Sequence, residues 1–169
     1  MDVTQVLQRP RNNARAGLSA LRDGLVAGFI AGTLVEAYLF ATGVAHWPVV
    51  YQWIASTVVG KAAFTQPGTV WLGIAMHAAI SLGWGVAYAV STARVPALAR
   101  RPFAGGTIFG LIVYASMQLV LGATGSFTAP EPLQLLNALI AHVFFFGLPI
   151  AFYVAFAQRR RMEAPHVFV

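Results

Sequence analysis

The stretch TVWLGIAMHAAISLGWGVAYAVSTA, residues 69–93, contains no charged side chain. An α-helix rises 1.5 Å per residue, so about 20 apolar residues cross a hydrocarbon core of about 30 Å. Lipid offers no hydrogen-bond partner to the backbone, and a continuous apolar run satisfies its own N–H and C=O groups only as a helix. The sequence therefore predicts that this stretch is a transmembrane helix.

Three further stretches have the same character, at about 24–45, 103–123 and 133–157, and Glu36 is the charged residue inside the first. The chain has 169 residues, of which 58% are hydrophobic and 9% charged. A soluble domain carries about 25% charged residues, because it must cover itself with a hydrated surface. We therefore predict an all-α integral membrane protein, a four-transmembrane-helix bundle that forms one domain over 22–158.

The positions of Lys and Arg predict the orientation of the chain. Of its eleven basic residues, ten precede the first span, separate the second from the third, or follow the fourth, and only Lys61 lies on the other side. The positive-inside rule places both termini in the cytoplasm, as a basic N-terminal segment, 1–21, and a tail, 159–169. A net charge of +6 in this arrangement favours anionic lipid headgroups and a bacterial-type inner membrane over nucleic acid.

The connection between the first two spans, 46–68, is too long for a tight turn. Within it, residues 49–64 have an amphipathic period, which predicts a helix in the outer membrane interface, with a re-entrant segment as the alternative. The predicted polar stripe consists of Gln52, Ser56, Gly60 and Lys61. The opposite, apolar stripe consists of Val50, Trp53, Ile54, Thr57 and Val58.

Small residues at every fourth position suggest an internal repeat and a mode of helix packing. The first span contains Gly24, Gly28 and Gly32, and the third contains Gly106 and Gly110. Such stripes let a second helix approach closely. The second and fourth spans each have a histidine followed eleven residues later by a tyrosine: His77 and Tyr88, and His142 and Tyr153. We therefore predict two parallel helical-hairpin repeats.

Four polar residues, one in each span, have similar predicted depths: Glu36, His77, Gln118 and His142. Ionisable groups inside a membrane are costly and are functional candidates. Three hypotheses follow. The residues join the helices by hydrogen bonds; or His77 and His142 bind a haem b or a metal ion; or Glu36 exchanges a proton during transport of a small solute, or lines a quinone pocket.

The sequence contains no signature of an enzyme. Cysteine is absent, and of the five carboxylates only Glu36 falls within a predicted span. We therefore expect a small non-enzymatic multi-pass membrane protein, without catalytic residues, that assembles as a homo-oligomer or as an accessory subunit of a larger membrane complex. The alternatives are a haem- or metal-binding protein using His77 and His142, and a proton-coupled transporter using Glu36. Pro149 predicts a kink in the fourth span.

Overall fold

A computed structural model describes residues 3–125, 127 and 129–163, and every regular element in these ranges is helical. A 3₁₀ turn, Gly60–Phe64, and a π-helix, Ala141–Gly147, accompany the α-helices. The α-helices are α1 Val3–Ala41, α2 Val49–Val59, α3 Thr69–Arg94, α4 Ala97–Arg100, α5 Pro102–Ala123, α6 Pro132–Ile140 and α7 Leu148–Glu163.

Four helices are long and apolar enough to cross a membrane: Ala16–Ala41, Thr69–Arg94, Pro102–Ala123 and Pro132–Glu163. The prediction of an all-helical chain with four such helices is confirmed. The first of them begins earlier than the sequence suggested and includes Asp23. The statement that Glu36 is the only carboxylate in a span is therefore wrong. Asp23 is buried there and is paired with two guanidinium groups, that of Arg161 at 2.5 Å and that of Arg22 at 3.2 Å.

Glycines bring α1 and α3 into backbone contact. A Cβ atom added to Gly28 would lie 2.3 Å from the Ser81 carbonyl oxygen, and one added to Gly24 would lie 2.5 Å from the Cα of Val86. From the other side, a Cβ atom on Gly85 would lie 2.2 Å from the Gly24 carbonyl oxygen. The predicted glycine stripe of the first span therefore packs against a helix of the same chain.

The third and fourth spans pair in the same manner. A Cβ atom added to Gly110 would lie 2.4 Å from the His142 carbonyl oxygen, and one added to Gly147 would lie 2.3 Å from the Gly106 carbonyl oxygen. α1 packs against α7 and the π-helix and so joins the two pairs. The core between them is made of small and branched residues with no exposed surface: Ala27, Ala31, Ile150, Ala151 and Val154.

The fourth span is interrupted by its π-helix directly before Pro149. Proline has no N–H group, so the carbonyl of Phe145 loses its α-helical donor. The N–H of Leu148 instead reaches back to the carbonyl of Val143, as in a π-helical turn. The predicted distortion is therefore present as a wider turn that carries His142.

The segment between α1 and α3 forms α2 and the 3₁₀ turn, which together cover the predicted range 49–64. One side of α2 packs against the rest of the chain and the other side is exposed. Ser56 is buried, whereas Trp53 and Val58 are exposed. The reason is the contact with α3: Gly73 has room for the backbone of Tyr51, whose carbonyl oxygen lies 2.0 Å from the position of a Gly73 Cβ atom. This contact turns Tyr51 inward.

The arginines with described side chains gather at one end of the bundle. Arg161 touches Asp23, and Gln158 Nε2 donates to the Thr92 hydroxyl over 2.6 Å, so the start of the first span and the ends of the second and fourth meet there. We call it the arginine end. Its arginines are Arg22, Arg94, Arg100, Arg101, Arg159, Arg160 and Arg161. Lys61, in the 3₁₀ turn before α3, lies at the opposite end.

Candidate functional site

A cavity of about 200 Å³ lies among α1, α3, α5 and the π-helix, beneath α2. The cavity exists because α3 packs against α1, whereas α5 packs against the π-helix and α7, which leaves a gap between α3 and α5. The walls are mostly apolar, and the ionisable residues that line it are Glu36, Tyr51, His77 and His142. Of the four polar residues with similar predicted depths, three therefore border one cavity: Glu36, His77 and His142.

Glu36 is the centre of a polar cluster in this cavity. The Tyr51 hydroxyl donates a hydrogen bond of 2.7 Å to its Oε1 atom. The Nε2 atom of His77 lies 3.4 Å from the same oxygen. The side chains of Glu36 and His77 keep 30% and 21% of their surface exposed, so both can still be reached by a bound molecule. We call Glu36, Tyr51 and His77 the carboxylate cluster.

Tyr51 belongs to α2, outside the four helices that are long and apolar enough to span a membrane. Burial raises its pKa from 10 to about 12, and the hydrogen bond and negative charge of Glu36 act in the same direction. The phenol therefore remains protonated and donates to Glu36 at every physiological pH. Sequence reasoning missed Tyr51. The α-helical period of 49–64 contained no sign that α2 turns this residue toward the first span.

His77 has a crowded imidazole nitrogen. Besides Glu36, its Nε2 atom lies 3.4 Å from the Gly32 carbonyl oxygen and 3.5 Å from the Ser81 hydroxyl. A Cβ atom on Gly32 would lie 2.8 Å from that hydroxyl. Gly32 therefore completes the glycine stripe and leaves room for the Ser81 side chain between α1 and α3.

His142 lies on the opposite side of the cavity, in the π-helix. Its Nδ1 atom is 2.8 Å from the Ala138 carbonyl oxygen, an acceptor, so this nitrogen carries the proton. The other ring nitrogen, Nε2, is then unprotonated and can accept a hydrogen bond or bind a metal. Tyr114 packs edge-on against the imidazole, with 5.5 Å between ring centroids.

The fourth member of the predicted layer, Gln118, is partly buried and is not among the residues that line this cavity. The described residues also contain no group of three or more His, Cys, Asp or Glu side chains arranged to hold a metal ion. A haem held by His77 and His142 needs only two protein ligands, so that hypothesis remains a prediction.

A second cavity, of about 340 Å³, adjoins the first and extends it between α2 and α5. The two share the residues Val50, Ile54, Ile80, Trp84 and Met117. Toward the arginine end the gap closes, because Phe109 packs against Trp84 and Tyr88 with ring centroids 5.8 and 4.8 Å apart. We call the two cavities together the groove. It is apolar along its length and polar at the carboxylate cluster.

Glu36 also lines a smaller cavity, of about 140 Å³, on the other side of the α1–α3 contact. His77, Tyr51 and Ser81 border this space as well, together with Gly28 and Gly32. The carboxylate cluster therefore separates two cavities and contributes to both.

No family model matches this sequence, and comparisons with curated proteins and with solved structures also return no match.

Proposed function

We propose that this chain is a non-enzymatic membrane protein that binds an amphipathic small molecule in the groove, with the polar head of the ligand at Glu36. The observation that carries the proposal is the position of the carboxylate cluster, which forms the polar end of an otherwise apolar space. A carboxylate inside a membrane-spanning helix is costly unless it has partners or a function. Tyr51 and His77 both approach Oε1, which leaves Oε2 available to a ligand.

The polar atoms indicate the head group. Oε2 of Glu36 and the unprotonated Nε2 of His142 are both hydrogen-bond acceptors. A ligand that fits them donates hydrogen bonds, as an alcohol, a phenol, a hydroquinone or an amine does. The Tyr51 hydroxyl is already committed to Glu36 at 2.7 Å, so a head group with only acceptor atoms finds fewer partners.

The dimensions of the groove indicate the tail. Small-molecule pockets usually enclose about 300–1,000 Å³, and the two adjoining cavities together reach this range. Trp53 and Val120, on opposite sides of the second cavity, are 48% exposed on the outer surface of the bundle, so a tail can enter from the side. An unbranched or isoprenoid chain matches this elongated apolar shape.

Binding of a radiolabelled dodecyl alcohol to the purified chain in lipid nanodiscs tests the proposal. We expect saturable binding of one molecule per chain, which Ile80→Trp blocks by filling the groove. Leu119→Trp is the matched control, because Leu119 is 75% exposed on the outer surface and lines neither cavity. Glu36→Leu should weaken binding by removing the acceptor. Equal binding by the Ile80→Trp and Leu119→Trp variants would contradict the proposal.

Proton-coupled transport is the second candidate, and the observation that favours it is the contact of Glu36 with cavities on both sides of α1 and α3. A carboxylate reached from two sides can exchange a proton and a solute in turn. In proteoliposomes, transport linked to an imposed pH gradient should disappear in Glu36→Gln, which keeps the size of the side chain but cannot carry the charge. Alcohol binding without any proton flux would reject transport and leave the binding proposal intact.

We further propose that the chain is inserted in a bacterial-type inner membrane with the arginine end in the cytoplasm.

We also propose that the chain arose from two parallel hairpin repeats. The matched glycine contacts support the repeats: Gly28 meets Ser81 as Gly110 meets His142. In this correspondence His142 is equivalent to Ser81. The sequence spacing had instead aligned His142 with His77, which lies one helical turn before Ser81. The extra residue of the π-helix accounts for the change of spacing between His142 and Gly147.

Assembly with further copies or with a larger membrane complex remains a proposal. The glycine stripes are occupied by contacts within the chain, so an interface has to use other faces. The exposed apolar side chains of the spans include Phe29, Ile108, Leu119 and Phe144.

A further inference from the structure

A separate cavity lies at the arginine end. It is bordered by the end of α3, by α4 and by the end of α7. It has a volume of about 560 Å³ and is well separated in the fold from the groove. Arg100 and Arg159 line it, with Thr92 and Gln158 beside them. The remaining lining residues are apolar: Pro96, Ala99, Ala155 and Met162.

Arg100 and Arg159 have no partner of opposite charge among the described residues, whereas the two arginines that follow Arg159 each have a contact of their own. Arg161 lies against Asp23, and Arg160 lies over the ring of Phe156 at 4.8 Å. Within the described ranges, neither Arg100 nor Arg159 is within salt-bridge distance of a carboxylate. Two guanidinium groups therefore border one cavity, and no described carboxylate compensates their charges.

The polar residues beside them, Thr92 and Gln158, are hydrogen-bonded to each other. Gln158 Nε2 donates to the Thr92 hydroxyl, and that hydroxyl donates to the Ala89 carbonyl oxygen over 2.6 Å. This pair ties α3 to α7 and fixes one wall of the cavity. The charged groups that line the cavity are both cationic, which favours an anion as its ligand. Guanidinium groups match the oxygen atoms of phosphate in charge and in geometry.

We propose that Arg100 and Arg159 bind the phosphate of an anionic phospholipid. The position of the cavity favours a lipid over free phosphate, since it lies where two apolar spans end, and headgroups occupy that level in a membrane. The apolar half of the lining, above all Met162 and Pro96, suits the glycerol backbone and the first carbons of an acyl chain. Basic pockets between helices at the cytoplasmic face are typical sites for anionic headgroups.

Native mass spectrometry of the full chain in detergent with added phosphatidylglycerol tests this site, with phosphatidylcholine and inorganic phosphate as the other probes. We expect one tightly retained phosphatidylglycerol per chain. The double variant Arg100→Gln, Arg159→Gln should weaken its retention by roughly an order of magnitude. The control is Arg94→Gln with Arg101→Gln, which removes equal charge from the same end, outside the cavity lining. Circular dichroism verifies that both double variants remain folded.

Three outcomes would overturn the proposal. An equal loss of phosphatidylglycerol from both double variants would indicate diffuse attraction to the basic end. Displacement of the lipid by inorganic phosphate would indicate a site for free phosphate. Equal retention of phosphatidylcholine would show that the acyl chains alone determine binding. Because none of these experiments involves the groove, their result is independent of the function proposed for Glu36.

Discussion

At the scale of single residues, the hydrogen bond from Tyr51 to Glu36 decides how the cavity is organised. Tyr51→Phe removes the donor and keeps the ring. We expect a loss of roughly 1 kcal/mol in the free energy of unfolding, which is the usual net contribution of an intramolecular hydrogen bond. Thermal unfolding in mild detergent measures it. Tyr114→Phe is the control, and no hydrogen bond of its hydroxyl is found among the described residues. An equal effect of both variants would count against this role of Tyr51.

Asp23 and Arg161 form the ion pair that links the first and last helices. Asp23→Asn should lower the free energy of unfolding by about 1–3 kcal/mol, because Arg161 loses its charged acceptor and the buried amide matches it poorly. Arg161→Gln in the same background should then add little, since the interaction is already gone. Chemical denaturation of the single and double variants checks this. Fully additive losses would mean that the two residues act independently.

The residues of the site were only partly predictable. Glu36, His77 and His142 stand out in a sequence because charged and imidazole groups are rare in apolar helices, and all three border the groove. Tyr51 and Asp23 do not stand out in this way. Tyr51 is turned inward by the contact of α2 with Gly73. Asp23 is paired with Arg161, which follows it by 138 residues in the chain. Both depend on tertiary contacts that no local pattern records.

At the scale of helices, the close approach of α1 to α3 depends on Gly28. Gly28→Ala should destabilise the chain by about 1–3 kcal/mol, because the new methyl group would meet the Ser81 backbone and push the helices apart. Gly83→Ala is the matched control. Gly83 lies in α3 with nothing within 4 Å of an added Cβ atom, so its substitution should be neutral or slightly stabilising. A stable Gly28→Ala variant would refute the packing.

The helices themselves were the most predictable feature. Long uncharged runs fix their number and approximate limits, since a membrane leaves no alternative to internal backbone hydrogen bonding. The local distortions and the packing of the helices were harder to predict from the sequence. Pro149 indicated a distortion, but whether a kink or a π-helix results depends on how α5 and α1 pack around it. The side of α2 that packs against the bundle was not predicted, because hydrophobic periodicity cannot show that Tyr51 contacts Gly73.

At the scale of the whole molecule, the concentration of arginines at one end predicts the orientation. The chain lacks cysteine, so a single introduced cysteine gives an unambiguous signal. Cysteine at Ala99, in α4, should react with a membrane-impermeant maleimide only after the cells are opened. Cysteine at Ala129, between the third and fourth spans, should react in intact cells. The reverse pattern would place the arginine end outside.

The central claim is that the groove holds a ligand with its head at Glu36, and quenching of Trp84 tests it most directly. Trp84 lines both parts of the groove, whereas Trp71 is 71% exposed and lines neither. Two single-tryptophan chains, one keeping Trp84 and one keeping Trp71, are titrated in nanodiscs with a bromine-terminated dodecyl alcohol. We predict saturable quenching of Trp84, which Glu36→Leu shifts to higher alcohol concentrations, and only a gradual, unsaturable decrease for Trp71. Gradual and equal quenching of both tryptophans would contradict the account.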